Sequence, residues 1–184
     1  MSYYRRLYIP GAIYFFTVVT FGRMPILTKP AVRRLLRAAY RQTCDERPFE
    51  TIAIVLLPDH LHCLWRLPDG DSDFSTRWKL IKGRFTSAVP ETGIALPRPS
   101  PSRAKRGEQT AWHRRFWEHL VRDENDLKRH ADYLHYNPVK HGYAKRPADW
   151  PFSTFQKWVA KGEYSLGWGA SEPQSLQGWE PEGE

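Results

Sequence analysis

The chain has 184 residues, enough for one domain that buries a core of its own. Hydrophobic residues make up 41% and charged residues 26%, which excludes global disorder, and no apolar run approaches the roughly 20 residues of a membrane-spanning helix. Two cysteines, Cys44 and Cys63, with no CxxC, exclude a disulfide framework and point to a reduced, cytoplasmic setting. Lys and Arg outnumber Asp and Glu by 28 to 20, and the excess is uneven. Residues 161–184 hold Lys161 against five glutamates, so residues 1–160 carry a net charge of +12. A basic body with 8 Trp, 9 Tyr and 9 Phe suits single-stranded nucleic acid, which needs a positive groove and faces on which bases stack.

Residues 12–21, AIYFFTVVTF, are β-branched and aromatic and predict a first strand. Arg5 and Arg6 precede them, but Pro10-Gly11 interrupts any signal-peptide pattern. Pro30 to Arg41 predicts a helix, with Val32, Leu35, Leu36 and Ala39 on one face and Pro30 in the first turn. Phe49 to Leu57 is a near-continuous apolar run, which predicts a buried strand. After the break at Pro58-Asp59, residues His60 to Leu67 predict its hairpin partner. Phe74, Trp78, Ile81 and Phe85 mark a second helix over 74–89. Residues 90–110 hold four prolines among basic residues and read as a flexible loop. Trp112 to Val121 resumes strand character, and Asn125 to Tyr136 predicts a third helix, ended by Asn137-Pro138. Residues 161–184 read as a loose acidic tail.

The order β-α-β-β-α-β matches the split βαβ, ferredoxin-like arrangement: an α+β sandwich with a four-stranded antiparallel sheet and two helices on one face. The third helix is additional, against the open face of the sheet or beside it. One domain is expected over residues 1–160.

In the fourth predicted element, the strand over 60–67, His60-Leu61-His62 places two imidazoles on one face. Such a pair can share one cation, or be two unrelated surface histidines. On the third helix Tyr133 and Asn137 are four apart and stack on one face, with His130 a turn earlier, while the apolar set Leu127, Ala131 and Leu134 faces elsewhere, which puts Tyr133 off the apolar stripe. A phenol there is a candidate nucleophile if a metal polarises the phosphate it attacks, and Asn137 has an amide oxygen to lend. The same residues also fit an amphipathic tyrosine at a helix boundary. Tyr136 and Tyr143 compete for the nucleophile's role, Tyr136 pointing off the Asn137 face. Arg5, Arg6, Arg77, Lys79, Lys82, Arg84, Arg114, Arg115 and Lys140 are candidate phosphate contacts.

The chain resembles the REP-associated tyrosine transposases, relatives of the single-tyrosine transposases in the HUH endonuclease superfamily. The resemblance runs from Tyr3 to about Trp158 and is carried by RPFE at 47–50, LPDHLHCLW at 57–65, RFWEH at 115–119, DYLHYNPVKHG at 132–142 and DWPFSTF at 149–155. It implies that His60 and His62 bind a metal, that Tyr133 is the nucleophile, that Asn137 is the third ligand, and that the chain acts as a monomer, its tyrosine used in cis. The implied substrate is single-stranded DNA at the hairpins of repetitive extragenic palindromes (REPs), cleaved and rejoined through a 5′-phosphotyrosine by a cytoplasmic, nucleoid-associated enzyme. Nitrogen and oxygen donors together suit Mg²⁺ or Mn²⁺, and zinc tolerates the histidines. The proline-rich stretch 90–110 looks longer than the family's usual connection. Two other functions fit the same fold: a non-catalytic nucleic-acid-binding regulator, and a metal-dependent nuclease that uses water. The acidic, Trp-bearing tail is expected to fold over the DNA groove and compete with substrate.

Overall fold

A computed structural model describes residues 6–106, 109–179 and 181. Strands β1 (Ile13–Val19), β2 (Glu50–Leu56), β3 (His60–Arg66) and β4 (Trp117–Leu120) form one antiparallel sheet in the order β2-β3-β1-β4. Helices α1 (Pro30–Glu46) and α2 (Phe74–Ala88) follow β1 and β3, which completes the expected ferredoxin-like sandwich. A short α3 (Pro101–Ala104), a long α4 (Glu124–Lys140) and α5 (Phe155–Ala160) complete the helices. No described helix is long and apolar enough to cross a membrane.

Sorting by the strand's two-residue period builds two cores. From β1 and β3, Tyr14, Phe16, Val18, Leu61, Cys63 and Trp65 meet α1 and α2. Trp65 stacks on Trp78 at 4.4 Å. The alternate residues Phe15 and Leu64, with Ala53 and Val55, meet Ala131, Tyr133 and Leu134 of α4. The additional helix therefore covers the sheet's second face.

Five local expectations are corrected. α1 runs on to Glu46, beyond Arg41. α4 continues through Pro138 to Lys140, because a proline in the last turn forfeits only its own N–H bond back along the helix. Regular strand in the fourth segment is confined to Trp117–Leu120; Trp112 makes an isolated bridge to Thr20. The 90–110 stretch contains α3, and its Arg103 guanidinium lies 4.6 Å over the Phe21 ring. Residues 161–179, expected to be loose, lie partly against α4: Tyr164 and Leu176 are buried, and Tyr164 and Ser175 both donate to the Asp132 carboxylate, at 2.8 and 2.7 Å.

His135 sits on α4 between Thr154, at 3.0 Å, and the rings of Phe155 and Tyr164. Burial pushes its pKa down to about 3. An unfolded histidine titrates near 6.5, so the folded state binds the proton more weakly. The stability this group contributes is whole above about pH 6.5 and is lost as pH falls toward 3. Going from pH 7 to pH 5 should cost about 2 kcal/mol from this residue. Urea titrations should show that slope, and His135→Gln should flatten most of it.

Candidate active site and basic groove

The antiparallel register sets Thr17 opposite His62 and Val19 opposite His60. Both imidazoles point to the α4 face, with ring centroids 4.9 Å apart. Each ring has its Nδ1 engaged: His60 with the Asp59 carboxylate at 2.7 Å, His62 with the Thr17 hydroxyl at 2.9 Å. When each Nδ1–H donates, Nε2 is the nitrogen with the lone pair, the form a metal takes. Burial works to raise the Asp59 carboxyl, but the hydrogen bonds and charges of His60 and Arg23 outweigh it and hold it below the usual range.

α4 begins at the Asp123 cap, whose side chain accepts the Asp126 N–H. It places Tyr133 with its ring 5.6 Å from that of His62, and Lys140 Nζ donates to the Tyr133 hydroxyl at 3.3 Å. Asn137 lies one turn beyond Tyr133 on the same face. It is fully buried, and neither Nδ2 nor Oδ1 has a hydrogen-bond partner among the described residues. An amide so placed costs about 1–3 kcal/mol unless something satisfies it. Two imidazoles with Nδ1 engaged and an unsatisfied amide are a donor set that fits a divalent ion.

Tyr133 was expected off the apolar stripe; instead it is 2% exposed. The Trp179 ring stands edge-on to it at 6.0 Å, and Leu176 shares its core. Tyr136 lies in the adjoining cavity with Glu172, and burial followed by that carboxylate raises its phenol. Tyr143 is exposed.

The candidate phosphate contacts divide. Arg6, Arg23, Arg114 and Arg115 line a groove of about 800 Å³ that also reaches Thr17, the partner of His62. Arg6 crosses the Phe116 ring at 4.2 Å and pairs with Glu118 at 3.1 Å. Lys79 and Lys82 line an adjoining cavity. Lys82 donates to the carbonyls of His113 and Arg114 at 2.6 and 3.2 Å, and burial, then repulsion from Arg103 and Arg6, lowers its pKa to about 8. Arg77 is corrected: it is 1% exposed, and its guanidinium is taken up by Asp71 and the carbonyls of Arg47, Pro48 and Asp73. Arg84 is likewise engaged, by Thr43 and Glu46 at the α1–α2 contact. Lys140 serves Tyr133. Arg5 lies outside the described residues.

His130 is not beside the pair. Its Nδ1 lies 2.9 Å from the Asp126 backbone carbonyl and 3.0 Å from one Asp126 carboxylate oxygen, and His119 of β4 meets the other oxygen at 2.8 Å. Among the described residues His119, Asp126 and His130 form a group that could hold a metal, one ligand atom from each lying within 4.8 Å of the others. Sequence reasoning missed Asp59 and this group. The first was signalled only by adjacency to His60, the second only by the Asp–His spacing of four on α4.

The second face of a ferredoxin-like sheet thus carries a histidine pair beneath a helix that bears a tyrosine. No family model matches the chain. It is 42% identical over 178 residues, 97% of its length and 99% of the relative's, to a REP-associated tyrosine transposase of Haemophilus influenzae. It is 44% identical over 168 residues, 91% of each chain, to the REP-associated tyrosine transposase of Escherichia coli K12. A solved structure of such a transposase bound to a REP hairpin matches with a TM-score of 0.76 at 42% identity, covering 95% of this chain and 96% of that one. The chain belongs to the REP-associated tyrosine transposases.

Because Asp59 orients His60, Asp59→Ala should weaken Mn²⁺ binding about 10- to 100-fold. Calorimetric titration of the two proteins is the check.

Proposed function

We propose that the chain is a single-tyrosine HUH strand transferase that cleaves and rejoins single-stranded DNA at REP hairpins. The observation that carries the reading is the convergence of the Tyr133 phenol with His62 on one face of the sheet, 5.6 Å between ring centroids. The Tyr133 oxygen attacks a DNA phosphorus in line. The bond to the 3′ oxygen breaks, leaving a 5′-phosphotyrosine; the phenol gives up its proton and the departing 3′ oxygen takes one up as 3′-OH, so no net proton is consumed. The reverse attack by a 3′-OH rejoins the strand, so one phosphodiester replaces another and no nucleotide is consumed. The Lys140 ammonium, 3.3 Å from the phenol oxygen, stabilises the negative charge that develops there. His60, His62 and Asn137 would hold Mg²⁺ or Mn²⁺, which supplies polarisation of the phosphate.

The groove lined by Arg6, Arg114 and Arg115 with Phe116 and Trp117 carries charge and aromatic faces toward the same end of the sheet. That pairing suits DNA with an unpaired flank. Nucleophile and histidines sit on one chain, which supports a monomer acting in cis, in the cytoplasm where its DNA is.

Denaturing electrophoresis with labelled single-stranded hairpin DNA and Mn²⁺ tests the proposal. A covalent band is expected, lost in Tyr133→Phe while hairpin affinity stays within a few-fold. Cleavage without an adduct would mean a nuclease that uses water; binding alone would mean a regulator. Loss of the adduct in Tyr136→Phe but not Tyr133→Phe would move the nucleophile.

Trp179 covers the Tyr133 ring edge-on, 6.0 Å between centroids. Trp179→Ala should therefore raise the single-turnover cleavage rate severalfold, most at low DNA concentration. An unchanged rate would leave the tail without a role in access.

A further inference from the structure

Among the described residues β4 is an edge strand, short and paired in the sheet only with β1. Its His119 faces the first turns of α4, where Asp126 and His130 stand one turn apart. The imidazoles are stacked with centroids 4.4 Å apart, and both address the one carboxylate, at 2.8 and 3.0 Å. His130 Nδ1 also lies 2.9 Å from the backbone carbonyl of Asp126. His130 is 1% exposed, and its Nε2 is buried without a hydrogen-bond partner among the described residues.

We propose that His119, Asp126 and His130 form a second cation site, apart from the His60–His62 pair, which takes a zinc-class ion and pins the Tyr133 helix to the edge of the sheet. Zinc bonds imidazole nitrogen and carboxylate oxygen at about 2.0–2.2 Å, which sets donors about 3.3 Å apart in a tetrahedron. The present nitrogen–oxygen separations need open by only a few tenths of an ångström. The ion takes the place of the contacts that His119 and His130 make to Asp126; His130 Nδ1 gives up its bond to the Asp126 backbone carbonyl, and each imidazole moves its proton to the other ring nitrogen or releases it to solvent. His119 and Asp126 are each 18% exposed at the side chain, which leaves an approach for the ion and a water as fourth ligand. Two nitrogens and one carboxylate favour zinc over Mg²⁺, which prefers oxygen. His130 precedes Tyr133 by one turn, so an ion here fixes the height and rotation of the helix at the phenol.

The test is Zn²⁺ titration of the full chain carrying His60→Ala and His62→Ala, which removes the first pair and separates this site from the proposed function. About one equivalent should bind and raise the melting temperature. Adding His119→Ala should weaken binding at least about 30-fold and abolish the rise. Asp126→Asn, close in size, should do the same and serves if His119→Ala does not fold. A His60→Ala/His62→Ala protein that binds no zinc, or one whose affinity is unchanged by both further variants, overturns the proposal.

Discussion

Burial of β3 on both faces is the constraint on which the rest depends. A strand covered on one side only would leave His60 and His62 in water, where Nδ1 partners compete with solvent. With α1 and α2 on one face and α4 on the other, six of its seven residues are buried. The polar ones among them must then be satisfied from within. The register supplies Thr17 for His62, and the tight turn before the strand supplies Asp59 for His60. Ring orientation thus follows from sheet pairing and from a neighbour in sequence, with little left to side-chain freedom.

The second face is held by polar contacts as much as apolar ones. The Asp132 carboxylate receives hydroxyls from Tyr164 and Ser175, and His135 lies between Thr154 and Tyr164. Truncating one partner of such a network leaves a buried group unpaired, which costs more than the bond was worth. The segment after Lys161 is therefore tied to α4 through Asp132 and His135.

Periodicity made much of this legible. Alternation along β3 announced the histidine pair, the spacing of Phe74, Trp78, Ile81 and Phe85 announced α2, and the element order announced the topology. What escaped was non-local. Arg77 looks like any surface arginine on a helix until Asp71 and three backbone carbonyls close around it. Tyr133 looked peripheral because the residues that bury it, Leu176 and Trp179, arrive more than forty positions later. The end of α4 was misplaced because the rule for residues before proline is a preference, and tertiary packing overrode it.

The spacing of Tyr133, Asn137 and Lys140 has a mechanical consequence. All three ride on the last two turns of one helix, and the hydrogen bond from Lys140 to Tyr133 spans them. A rigid rod carries its fittings together: a small tilt or slide of α4 would shift phenol, amide and ammonium as a unit relative to β3, with little freedom to trim one alone. Alignment with the histidine pair is thereby reduced to the seating of a single rod, and whatever touches its far end is geared to the chemistry at this one.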